Sequence, residues 1–143
     1  MESTVEKVCL TSSEIQKRLK ESGINPTAQR IAICRYVLCE ACHPTVEDVK
    51  NWADENFPKM SLATVYNTLH ALVEVGLLRS IKFPHMDKVV YDNNVDKHYH
   101  FLDEDTKEIL DIPIDKLKID NLLGSEYEVN DIEIVIRGKR KVN

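Results

Sequence analysis

A chain of 143 residues has room for one domain, or for two small ones sharing an interface. Its composition, 43% hydrophobic and 30% charged with four Gly and five Pro, is that of an ordinary soluble protein, and no run reaches the roughly 18 apolar residues needed to cross a bilayer. The net charge of −5 falls entirely after residue 90, which argues against a non-specific polyanion binder yet leaves room for a dimer presenting a local basic surface.

Met1 to Leu10 carries Glu2, Glu6 and Lys7 with no apolar stretch, so it does not read as a secretory signal, and a cytoplasmic location is expected. In that compartment Cys9, Cys34, Cys39 and Cys42 are expected as thiols or ligands rather than disulfides. Thr11-Ser12-Ser13-Glu14 is a capping box that opens a helix to about Glu21, with Ile15 and Leu19 inward and Gly23 ending it. Asn25-Pro26-Thr27 starts a second helix, in which Ile31, Cys34, Val37 and Leu38 recur at helical spacing. Pro44-Thr45 opens a third helix to about Asn56, with Asp48 in the capping-box position. Ser61 caps a fourth, with Leu62, Val65, Leu69, Leu72 and Val73 predicted inward and Gly76 at its end.

Leu77 to Phe83 and Lys88 to Tyr91 form two short extended segments around Pro84-His85-Met86-Asp87, which predicts a β-hairpin. Helices ending in a helix–turn–helix and then a hairpin describe a winged-helix module over residues 1–91, with the wing and hinge near 77–91. From Asp92 the pattern changes. His98 to Leu102 and Glu108 to Leu110 read as strands around a polar turn, and Pro113 to about Leu123 as a helix closed by Gly124. Glu128 to Arg137 alternates, with Ile132, Ile134 and Ile136 on one face. Residues 92–143 thus form a small α/β unit that buries little surface alone, so oligomerisation is expected and the fold class is α+β.

Two constellations carry chemistry. Alternate residues of a strand share a face, so His98 and His100 can aim at one point, with Asp92 and Asp111 flanking them and no cysteine nearby. That nitrogen-and-oxygen set suits Fe(II), Mn(II) or Zn(II). His43, at the start of the third helix, is by itself an ordinary cap or surface residue, and it joins this set only if the second unit folds back upon it. The fourth helix offers Ser61, Thr64, Tyr66 and Asn67 near its N-terminal end, where hydroxyls, an amide and a ring can meet phosphates and base edges. A solvated helix face explains the same residues equally well. Arg30 and Lys59, with Lys82 and Lys88 on the wing, would supply phosphate contacts. Cys39-x-x-Cys42 is one pair without a second, and Cys34 and Cys39 read as core or partly buried thiols.

The strings Pro26-Thr27-Ala28-Gln29-Arg30, His43-Pro44-Thr45-Val46-Glu47-Asp48-Val49, Ser61 to Leu69 and His98-Tyr99-His100 together resemble the ferric-uptake-regulator family of metal-dependent bacterial repressors. The resemblance runs from about Thr11 to Ile136. It implies a homodimer with an N-terminal winged-helix DNA-binding domain on double-stranded operator DNA and a C-terminal dimerisation domain. The regulatory metal, Fe(II) or Mn(II) with Zn(II) as a further occupant, would be held by His43, Asp92, His98, His100 and Asp111. Asp at both carboxylate positions points, by the same resemblance, to a peroxide-sensing repressor of the PerR type, in which iron-catalysed oxidation of His43 and His98 releases DNA. Many members carry a structural zinc on two Cys-x-x-Cys pairs. Here Asp103 and Thr106 stand at the first pair and the tail has no Cys, so no four-cysteine zinc site is expected.

The nearer alternative is an iron or manganese uptake regulator without oxidation chemistry. A remoter one is a non-haem iron enzyme, since two His and one carboxylate also form the oxygenase triad, but the helix-rich first half speaks against it. The expected protein is therefore not an enzyme, has no membrane partner and takes no organic substrate.

Overall fold

The computed structural model describes residues 9–84, 86–120 and 123–141. They form two compact units that divide between Val95 and Asp96. Asp92, expected to open the second unit, therefore belongs to the first.

In the first unit, α1 (Ser12–Glu21) begins at the expected capping box, with Thr11 accepting from the Glu14 amide and the Glu14 side chain accepting from the Thr11 amide. α2 (Ala28–Arg35) is capped by Thr27 and runs into one π-helical turn, Tyr36–Glu40, where the sequence predicts an uninterrupted helix. Val37 and Leu38, expected inward at helical spacing from Cys34, are both buried. The Asn93 side-chain amide donates to the carbonyls of Val37 at 3.0 Å and Ala41 at 3.2 Å, satisfying acceptors that the end of a helix leaves over. α3 (Val46–Asn56) starts at a second capping box, Thr45 with Asp48.

α4 (Leu62–Glu74) follows its Ser61 cap and sends Val65, Leu69 and Leu72 into the core, each 0% exposed. These pack with Ile15, Leu19, Ile33 and Val49 of the other helices. Leu62 departs from the predicted inward stripe and is 52% exposed. It stands at the first helical position, and Met60, just before the cap, reaches the core at that end instead. β1 (Arg79–Ile81) and β2 (Val90–Asp92) pair antiparallel as the wing, with Ser80 opposite Tyr91. His85, in the connection between them, lies outside the described residues.

The expectation of four thiols is corrected: Cys9 and Cys39 form a disulfide across a separation of 30 residues. The packing of α1 against α2 brings the two together, and no local spacing signals it. Cys34 is buried in the core, as expected, while Cys42 is exposed.

In the second unit β3 (His98–Asp103) and β4 (Ile109–Pro113) form an antiparallel hairpin, and β5 (Val135–Gly138) lies parallel to β3 on its other side. Asp103 shapes the hairpin turn, its Oδ1 accepting from the amides of Asp105 at 2.9 Å and Thr106 at 3.2 Å. Two expectations fail here. The helix predicted from Pro113 to Leu123 reduces, over its described residues, to a single 3₁₀ turn, Ile114–Lys116, and Asn121 and Leu122 lie outside them. Pro113 instead closes β4, no side chain caps the turn, and β-branched Ile114 and Ile119 alternate with poor helix formers Asp115 and Asp120. The strand predicted over 128–137 is confined to Val135–Gly138, although the Ile134 carbonyl already accepts from the His100 amide at 3.2 Å.

Candidate metal centre

Two groups of the predicted ligands are assembled, one in each unit. In the first, His43 and Asp92 face each other, with Nε2 and Oδ2 3.7 Å apart and side chains 9% and 1% exposed. Asp92 ends β2 and turns immediately: its Oδ1 accepts from the Asn94 amide at 3.0 Å, which leaves Oδ2 toward His43. His43 sits in the left-handed region at φ 46°, one residue before Pro44, whose ring disfavours helical backbone in the preceding residue. Its segment is fastened by the Tyr91 amide donating to the Pro44 carbonyl at 2.9 Å. β2 thus carries one ligand candidate and positions the other.

In the second unit, His98 and His100 are on one face of β3, and the register sets Asp111 of β4 directly opposite His100. The two Nε2 atoms are 3.0 Å apart, and Asp111 Oδ1 lies 3.3 Å from His98 Nε2 and 3.6 Å from His100 Nε2. His98 Nδ1 is 2.5 Å from the Asp96 carbonyl oxygen. A carbonyl only accepts, so Nδ1 holds a proton and Nε2, facing His100 and Asp111, is the nitrogen left for coordination. Both histidines are buried, and Asp111 is 20% exposed by side chain.

The donor set fits a divalent transition metal. Ligands about 2.1 Å from an ion are roughly 3.0 Å apart across adjacent octahedral positions and roughly 3.4 Å apart across tetrahedral ones. The separations among His98, His100 and Asp111 fall at about those edges. Imidazole nitrogens with carboxylate oxygens and no sulfur suit Fe(II), Mn(II) or Zn(II). The backbone fixing of the His98 tautomer is the kind of support that orients metal-ligating imidazoles.

The sequence reading did not pick out the residues that hold these ligands. Asn93 and Asn94 follow Asp92 as a run of turn-forming amides, which was a usable signal. The Asp96 carbonyl was not, because a backbone acceptor leaves no mark on residue type.

The candidate DNA-contacting residues divide by availability. Tyr66 is 54% exposed and Asn67 is exposed on α4, as are Lys59 before it and Lys82 and Lys88 on the wing. Ser61 and Thr64 are engaged locally, Ser61 Oγ accepting from the Thr64 amide and lying 3.0 Å from Thr64 Oγ1. Arg30 of α2 is the remaining residue expected to contact phosphate. It is half-buried, and its Nη1 donates to the Asn25 carbonyl at 2.8 Å.

Comparison with known proteins gives a consistent neighbourhood. A profile of the ferric uptake regulator family matches residues 21–137. The peroxide-responsive repressor PerR of Staphylococcus aureus is 31% identical over 99 residues, 69% of this chain and 66% of that protein's length. The chain therefore spans just under two thirds of that relative. Among solved structures, the Streptococcus pyogenes PerR described for peroxide sensing and gene regulation is 28% identical, covers 94% of this chain and 95% of its own, and superposes with a TM-score of 0.52. The ferric uptake regulator of Pseudomonas aeruginosa with manganese shares the fold at a TM-score of 0.59 and 23% identity, over 89% of this chain and 98% of its own.

Proposed function

The chain belongs to the ferric uptake regulator family, and on that footing we propose that it is a metal-activated transcriptional repressor that senses peroxide, binding operator DNA as a homodimer in the cytoplasm. It acts as a regulator rather than an enzyme. The observation that carries this reading is the convergence of His98, His100 and Asp111 donors within 3.6 Å of one another. His43 and Asp92, paired in the first unit, would complete a five-ligand set on one ion. A ligand from each unit would make that ion a clamp whose occupancy shifts the population toward the DNA-binding arrangement.

Fe(II) held there would supply the electrons that convert hydrogen peroxide into an oxidant of a neighbouring imidazole. His43 and His98 are the rings expected to take up oxygen. An oxidised ring would be a poorer donor, and losing it would loosen the hold of His43 and His98 on the ion and release DNA. Mn(II) on the same ligands would support DNA binding without peroxide sensitivity. Tyr66 and Asn67 would read base edges, with Arg30, Lys59, Lys82 and Lys88 on phosphates and Ser61 and Thr64 shaping the start of the helix that carries the two readers. Ile114, Ile119, Leu123, Tyr127 and Val129 of the second unit are each at least 39% exposed, which supports a partner subunit covering them.

The test is direct. Iron-loaded protein treated with hydrogen peroxide should gain about 16 Da, one oxygen, on peptides carrying His43 or His98, and lose DNA. Retained DNA binding with no mass gain would favour the second reading, an iron or manganese uptake regulator that senses the metal reversibly.

A further inference from the structure

Outside the metal ligands, the Cys9–Cys39 disulfide is the chemical feature that the repressor mechanism does not use. A repressor in the cytoplasm meets a reducing thiol pool, and disulfides that form there are mostly transient and redox-sensing. The two cysteines differ in access: Cys9 is exposed and Cys39 half-buried. Cys34 is no substitute, because burial pushes its thiol up to about 12, which leaves almost none of it as the reactive thiolate at neutral pH.

We infer that Cys9 and Cys39 form a second oxidation site, a dithiol that hydroperoxides convert to the disulfide without any metal. The exposed Cys9 thiolate attacks one peroxide oxygen, the O–O bond breaks, and the other oxygen leaves as water or alcohol. Cys9 is then a sulfenic acid. The Cys39 sulfur attacks it, the S–S bond forms, and the hydroxyl departs as water with the Cys39 proton. Two thiols and one hydroperoxide give one disulfide, one water and one water or alcohol. A small thiol in excess reverses the step and ends as its own disulfide.

The site is placed to affect the metal ligands. Cys39 lies in the π-helical turn, and the Asn93 side chain holds the carbonyls of Val37 and Ala41 on either side of it. Asn93 is the neighbour of Asp92, and Pro44, beside His43, is held by Tyr91 of the same strand. Closing the disulfide ties the N-terminal segment to the stretch that carries His43 and so pre-organises the His43–Asp92 pair. This consequence rests on the reading of those two residues as ligands. The disulfide form should bind Mn(II) about five- to tenfold more tightly than the dithiol form, a coupling of ordinary size.

Reduced full-length protein stripped of metal with a chelator is the material for the test. Hydrogen peroxide should lower its mass by about 2 Da and yield a cross-linked peptide joining Cys9 to Cys39, with no oxygen gained on His43 or His98. Cys9→Ser should abolish the loss while keeping its helical circular dichroism, and Cys42→Ser should leave it intact. Mn(II) titration of both forms then reads the coupling. Failure of the disulfide to form, a bond to Cys42 in place of Cys9, or equal Mn(II) affinity of the two forms would overturn the inference. Failure of the iron-loaded protein to gain oxygen would instead sink the peroxide-repressor reading, because that chemistry needs iron and this does not.

Discussion

Single atoms decide whether the ligand set works. The Asp96 carbonyl fixes the His98 tautomer from 2.5 Å, and the Asn94 amide turns Asp92 so that one oxygen is spent and the other is presented. His98→Ala should lower Mn(II) affinity at least tenfold and abolish metal-dependent DNA binding. Asn94→Pro, which removes the amide that holds Asp92, should weaken Mn(II) by about tenfold with His98 untouched, as losses of supporting hydrogen bonds do. Calorimetric titration of Mn(II) checks both, and unchanged affinity in either variant would remove that residue from the site. At the same scale, the buried Cys34 thiol should resist alkylation at neutral pH in the folded protein while exposed Cys42 reacts, a contrast that peptide mass mapping reads directly.

At the level of elements, the caps were the most legible part of the chain. Thr11, Thr27, Thr45 and Ser61 each cap the helix that they were expected to open, because a hydroxyl facing an amide three residues on is a local event written in adjacent residues. Thr45→Ala should cost about 1 kcal/mol of unfolding free energy, measured by urea denaturation. His98, His100 and Asp111 were legible for a related reason: strand alternation and a short hairpin bring them together without help from distant chain. The Cys9–Cys39 bond and the absent helix after Pro113 were not. The first needs α1 packed on α2, and in the second the start and stop signals of Pro113 and Gly124 were outweighed by β-branched and acidic residues with no cap. The hairpin turn adds a pH dependence. The Thr106 amide first, then the Asp105 amide and the Arg140 guanidinium, hold the Asp103 carboxyl below the ordinary carboxylate range. A depressed folded value means that its stabilisation is complete above the ordinary carboxylate pKa, near 4, and is lost as pH falls through the lower, folded one. Acid unfolding should therefore steepen there, and Asp103→Asn should flatten it.

For the whole chain, the cysteines set the rule for metal dependence. All four lie in the first unit and none follows residue 42, so residues 96–143 offer no cysteine sulfur to a zinc ion. Chelation should strip the regulatory metal and its DNA binding yet leave the sedimentation of a dimer, and dissociation to monomers on chelation would contradict this account. One feature of the second unit has a temporal side. β3 and β4 pair across a five-residue turn, whereas β5 reaches β3 in parallel from more than 30 residues further on. Local pairing is fast and distant pairing slow. As the chain leaves the ribosome, the hairpin can set His98, His100 and Asp111 in register before Val135 to Gly138 has been synthesised. The candidate metal-binding trio is thus the early part of its unit, and the last strand secures an alignment already made.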